Sequence, residues 1–309
     1  MSFTSGYFSA KTLLKLEDYQ NLSKSNSTHF FNYLKTVGFS TYTDIETLYL
    51  NEHIKVKNDL EKFADVNLRN FFYVLYDSLN IKQIYKSIKL EKPYKFHPLG
   101  RITENAIYNA LKHHDYTLLE QEDKFIFDEI NKSNLDFKEV SDLIDSLIVT
   151  RKANFVVNEV LKSYLKVETT LTNILIILRS LKLGVKINLL PGGEFELSDI
   201  KEIISNNESF QNYLNKLYVG HLEKLDFDNF QVLSNQLKRA FYEIIKPLTY
   251  AEEGIVVGYV YKKFIELENL KALYLSKNIE ELIILWNQFM QLETLRQWCC
   301  FKVLELSPL

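Results

Sequence analysis

Apolar residues return along much of the chain at intervals of three and four, the spacing that gathers them on one stripe of an α-helix. After Thr43 the positions Ile45, Leu48, Leu60 and Phe63 suit one helix, which Asp65 and Asn67 interrupt. Leu68, Phe71, Phe72, Leu75, Leu79 and Ile81 then carry a second helix towards Pro93. Near the C-terminus Leu282, Leu285, Phe289, Leu292 and Leu295 keep the same spacing and predict a final helix. Helix starts are marked by polar residues. Thr43 with Glu46, Thr117 with Glu120 and Thr249 with Glu252 each match a capping box, in which the threonine oxygen takes a first-turn amide while the glutamate reaches back. Asp136 with Glu139 is a close variant.

One polar residue recurs inside these apolar stripes. NIKQIYKSIK begins at Asn80, NILIILRSLK at Asn173 and NLKALYLSKN at Asn269, spaced 93 and 96 residues apart, and each places a serine seven residues on, at Ser87, Ser180 and Ser276. Thr43 precedes Asn80 by 37 residues and Asp136 precedes Asn173 by the same distance; in the third copy the corresponding start is Asp226, 43 residues before Asn269. FFNYLKTVG at Phe30 is echoed by FQNYLNKLYVG at Phe210 and more faintly by FIFDEIN at Phe125. A period of this size over nearly the whole chain predicts a repeated structural unit. The breakers agree: LEKPYKFHPLG lies between the first and second copies and LGVKINLLPGGEFELSD between the second and third. These connectors divide the chain into three helical repeats, 1–95, 96–186 and 187–309, the last carrying the final helix.

Composition narrows the picture. Only 9 glycines and 5 prolines interrupt 309 residues, so the chain reads as all-α. A formal charge of −3 offers no basic excess to track a phosphate backbone, and nucleic acid is not an expected partner. Cys299 and Cys300 are neighbours whose pairing would demand a strained ring, so reduced thiols and a cytoplasmic setting are expected. The N-terminus lacks the pattern of a secretion signal. The longest apolar runs, ILIIL before Arg179 and IVVGYVY before Lys262, stop far short of the roughly 20 residues a membrane span requires. No transmembrane segment of its own is therefore expected, and at a membrane another chain must hold this one.

Motifs of catalysis are sparse. Adjacent residues on a helix point about 100° apart, so His113 and His114 do not converge readily on one ion. Gly192-Gly193 is followed by no Lys-Ser or Lys-Thr pair, and Glu194 and Glu196 would repel a phosphate; a turn using glycine's positive φ accounts for it. Gly254 and Gly258 in GIVVG are read as permitting close approach of two soluble helices. No catalytic residue, metal ligand or cofactor is assigned. The repeated polar groups Asn80, Asn173 and Asn269 have two readings, satisfaction of a neighbouring backbone group within their own unit or direct contact with a partner. The cations Lys82, Arg179 and Lys271, which do not all share one register, are read either as solvated or as partner contacts. If the units surround a common axis, these six residues would face it together and grip an elongated partner.

The thrice-repeated Asn-Ile/Leu helix, the opening YFSAKTLLKLEDYQNL, the connector LPGGEFEL and the segment GIVVGYVYKKFIELENLKALYLSK together resemble the C-type component of bacterial and archaeal V-type ATPases, equivalent to the eukaryotic d-type component. The third copy fits best, through Glu266, Glu268, Asn269, Leu270 and Lys271; in the second, Asn173 is followed by ILIIL and a cation comes only at Arg179. The resemblance implies three similar helical domains in a pseudo-threefold funnel, seated on the membrane rotor ring at its cytoplasmic face and receiving the central axle built from the D and F subunits. It implies a non-catalytic rotor piece that couples axle rotation to ion transport and binds no nucleotide. A free-standing helical-repeat adaptor is the alternative, although its usual period of roughly 34 to 47 residues is much shorter than the one found here.

Overall fold

The helical periodicity is realised throughout the computed structural model, which describes residues 3–11, 13–194, 207–218, 221–222 and 225–275. Among the described residues there are twelve α-helices and no strand. In order they are α1 (Phe3–Ser9), α2 (Leu16–Ser23), α3 (Ser27–Thr36), α4 (Ile45–Phe63), α5 (Val66–Leu90), α6 (Glu104–His113), α7 (Lys124–Lys132), α8 (Phe137–Ala153), α9 (Glu159–Leu183), α10 (Asn207–Leu217), α11 (Phe230–Ile245) and α12 (Glu252–Leu275). Short 3₁₀ turns stand at Gln121–Asp123 and Lys246–Tyr250. The final helix expected beyond Asn278, together with Cys299 and Cys300, lies outside the described residues.

The helix boundaries follow from caps, and one expected cap in four forms as written. Asp136 accepts the Glu139 N–H at 2.8 Å while Glu139 takes the Asp136 N–H, completing the box that opens α8. At α4 the cap is Asp44, whose Oδ1 accepts the Thr47 N–H at 2.7 Å, because a carboxylate one residue on displaces the hydroxyl of Thr43. The Thr117 N–H is taken by Asp115 Oδ1 at 3.0 Å in a turn, so no helix starts there. Thr249 spends its hydroxyl on the Lys246 carbonyl at 2.8 Å inside a 3₁₀ turn. Asp65 does break the chain as its sequence predicts: its backbone is extended and its side chain accepts the Asn67 N–H at 2.6 Å. Asp226 binds the Asp228 and Asn229 N–H groups, so α11 begins slightly later than the sequence suggests.

Two compact units share the chain. The first holds the described residues up to Phe63 and from Tyr218 to Leu275; the second holds those from Ala64 to Leu217. In the first, Leu14, Phe30, Leu34 and Leu48 gather around Leu267 and Leu270 of α12, so the two ends of the described chain share one core. α4 runs antiparallel to α12, as Lys263–Glu52, Tyr49–Glu268 and Lys271–Glu46 contacts show in succession. Gly254 and Gly258 allow a close approach, but to the 3₁₀ turn Lys246–Tyr250 rather than to a second α-helix: a Cβ on Gly254 would stand 1.8 Å from the Leu248 carbonyl oxygen. In the second unit α5 runs antiparallel to α8, with Ser78 donating to Asp145 at 2.8 Å and Tyr85 stacked on Phe137. Phe71, Ile81, Phe127 and Ile144 are fully buried there. Among the described residues no helix is long and apolar enough to cross a membrane.

Candidate functional site

Asp77 and Asn80 lie one turn apart on α5, both fully buried. The Asn80 Nδ2 donates to the His97 carbonyl at 2.9 Å and its Oδ1 accepts the His97 N–H at 2.7 Å, so the amide clasps one residue of the connector through both its backbone groups. Asp77 Oδ1 then accepts the Arg101 and Ile102 N–H groups at 2.6 and 3.1 Å. A loop backbone partly withdrawn from water needs such partners, and two side chains supply them.

α9 repeats the arrangement at the same register. Asn173 donates to the Leu190 carbonyl at 2.9 Å and accepts its N–H at 2.8 Å, again seventeen residues on. Thr170, one turn earlier, accepts the Glu194 N–H at 2.9 Å in the role of Asp77. The two connectors, HPLG and LPGG, place their proline and their last glycine alike. The clasp leaves little room at that last glycine: a Cβ on Gly100 would lie 2.7 Å from Asn80 Nδ2, and one on Gly193 would lie 3.0 Å from Asn173 Nδ2. Gly192 supplies the positive φ, 87°, expected of that turn.

α12 holds the third version. Glu266, the counterpart of Asp77 and Thr170, accepts the Leu14 N–H at 2.6 Å. Leu14 stands just before the N-cap of α2, Lys15, as Ile102 stands just before Thr103, the N-cap of α6. The long helix that ends the described chain thus holds the segment that enters its first repeat. Asn269 is half-buried and makes no such clasp among the described residues.

Buried charge surrounds two of these clasps. Arg101 Nε lies 2.9 Å from Asp77 Oδ2, and both Arg101 and Arg151 reach Asp123 Oδ1, at 2.9 and 2.7 Å, with their guanidinium groups over the Phe155 ring. Burial pushes the Asp77 carboxyl up to about 6, while Arg101 and the two N–H donors pull the other way. Beside Glu266, Lys263 is buried between Glu266 and Glu52, and Tyr42 donates to Glu52 at 2.7 Å. In the second unit Lys152 pairs with Glu168 beside the rings of Phe71 and Tyr164. Charges taken this far from water are tolerated only when so paired.

The remaining sequence candidates fall as follows. Lys82 and Lys271 each stand two residues after their asparagine and bridge to the antiparallel neighbour, Lys82 to Asp145 on α8 and Lys271 to Glu46 on α4 at 2.8 Å. Arg179 is exposed on α9. His113 ends α6 against the Tyr108 ring, and His114 caps it with a left-handed φ of 55°. Among the described residues no group of three or more His, Cys, Asp or Glu side chains is placed to hold a metal ion. Sequence reasoning missed Asp77, Arg101 and Asp123, and named Glu266 without its bond to Leu14. The available signal was the pair of HPLG and LPGG connectors, each placing its Pro at one fixed interval after the repeated Asn. What the assembled groups do chemically is hold backbone: each long helix grips a connector.

Residues 9–278 match the family model described as ATP synthase (C/AC39) subunit. No curated protein matches the chain.

Proposed function

Since the chain belongs to the V-ATPase C/AC39 subunit family, we propose that it is a non-catalytic central-stalk component, a socket that receives the axle of the D and F subunits and seats it on the membrane rotor ring. In this reading the sequence repeats 1–95, 96–186 and 187–309 are three similar helical domains about a pseudo-threefold axis. One observation carries it. The long helices α5 and α9 each clasp the connector that opens the following repeat, and the Glu266–Leu14 bond of α12 ties the last repeat to the first. Such cyclic order suits a closed funnel and gives an open row of repeats no advantage.

Torque transfer asks for stiffness on the timescale of a rotation step. Close-packed helices with doubly bonded connectors supply it, because such interiors deform little. The chain would hold its place on the cytoplasmic face of the membrane through the ring. Of the six repeated polar residues, exposed Arg179 and half-buried Asn269 are the ones proposed to face a partner directly; Asn80, Lys82, Asn173 and Lys271 act by fixing connectors and helices.

Reconstitution tests the role. Detergent-extracted ring mixed with the D and F subunits should retain them only when this chain is added. Ring and axle that join equally well without it would refute the coupling role.

A further inference from the structure

The clasped helices end alike. Ten residues after the repeated asparagine, α5 stops at Leu90 and α9 at Leu183, and each is followed by a left-handed residue, Glu91 or Gly184. The last four residues read Ser-Ile-Lys-Leu on α5 and Ser-Leu-Lys-Leu on α9. Both terminal leucines are exposed, Leu90 at 49% and Leu183 at 62%. One exposed leucine needs no explanation. The same leucine exposed at the same register twice does, because elsewhere the two helices have diverged: Thr170 stands for Asp77, and Leu175 for Lys82.

The neighbourhood is apolar and basic. Leu181 and Phe137 are exposed at 44% and 43%. The start of α8 joins the two ends, since Tyr85 of α5 stacks on Phe137 and Asn188, just past α9, donates to Asp142 at 3.0 Å. Lys89 and Lys182 each precede the terminal leucine, and Arg179 and Lys186 are exposed beside the second. Four acids stand nearby and keep their charge: Asp136 and Glu139 in their capping box, Asp142 accepting from Asn188, and Glu91 exposed beside Leu90. Lys86 over the Phe137 ring, with exposed Lys89, Lys92, Arg179, Lys182 and Lys186, outnumbers them, so on a chain whose net charge is −3 this end carries an excess of cations.

We propose that these two helix ends form a docking surface for a partner that presents the same acidic, apolar-tipped segment in repeated copies. Positive charge around exposed leucine calls for carboxylates around an apolar tip. Two equivalent ends call for two equivalent copies, which a ring of identical subunits offers and an axle of two unlike subunits does not. The surface is thus assigned to the rotor ring, and this rests on the coupling role proposed above. Two weak attachments on one rigid unit combine into a strong one.

The test uses the full chain carrying Leu90→Ser, Leu183→Ser or both, with thermal melts to show that these surface changes leave the fold intact. Retention is measured on detergent-extracted ring, on the D and F subunits, and on vesicles of mixed phosphatidylcholine and phosphatidylglycerol. The single variants should weaken ring retention by similar factors, about tenfold each, and the double variant by about a hundredfold, with axle binding unchanged. Lys89→Glu should weaken it too and make it less sensitive to salt. Axle binding lost instead, or vesicle binding lost while the ring is held, would overturn the assignment by giving the surface another occupant. If wild type holds the ring and the double variant holds it equally well, this surface fails alone. If wild type does not hold the ring, the coupling role fails and takes the surface with it.

Discussion

Asparagine is a mediocre helix former, yet Asn80 and Asn173 sit fully buried in the middle of long helices. Their value lies in having a donor and an acceptor on one planar group, which matches the C=O and N–H of a single residue. Aspartate would lack the donor and leucine both. Asn80→Ala would remove both groups that Asn80 offers to the His97 N–H and carbonyl; because His97 is half-buried and water can reach it, the variant should lose roughly 1–3 kcal/mol in urea unfolding, and Asn173→Ala a similar amount. A loss below about 1 kcal/mol for both would mean that the clasps contribute little.

At the scale of elements, a long helix is held in place by what crosses it closely. α12 is approached by the 3₁₀ turn Lys246–Tyr250, and the glycines that make room are not equivalent to glycines elsewhere. A Cβ on Gly254 would collide with backbone, the Leu248 carbonyl oxygen at 1.8 Å, whereas one on Gly6 of α1 would meet nothing within 4 Å. Gly254→Ala should therefore cost at least about 3 kcal/mol in thermal unfolding, while Gly6→Ala should be neutral or gain up to about 1 kcal/mol from helix propensity. Equal melting temperatures for the two would contradict the packing described. The same scale explains Lys82 and Lys271: one register on two long helices, each tying its helix to an antiparallel neighbour.

At the scale of the molecule, the first compact unit is made from both ends of the described chain, and Glu266 is the clasp of that arrangement. It accepts the Leu14 N–H and neutralises the buried Lys263 together with Glu52. Glu266→Ala would strand a buried N–H and unbalance a buried cation, a loss on the order of 3–5 kcal/mol. Hydrogen exchange should then quicken in α12, α2 and α4, whereas α5 and α8, which belong to the other unit, should keep their protection. Faster exchange of equal size in both units would show that the closure at Leu14 has no local role.

The sequence by itself determined the all-helical class, the break at Asp65, the turn at Gly192 and the threefold recurrence of one helix, because periodicity, capping and glycine freedom act between residues within a few positions of one another. Even there local competition had the last word, as when Asp44 and not Thr43 took the cap of α4. Only the tertiary structure decided where the repeated groups point. Asn80 finds its backbone partner seventeen residues on, Lys271 its carboxylate 225 residues back, and Glu266 its N–H across 252 residues. A side chain's partner over such separations depends on how the whole chain is routed. No spacing read along one line encodes that route.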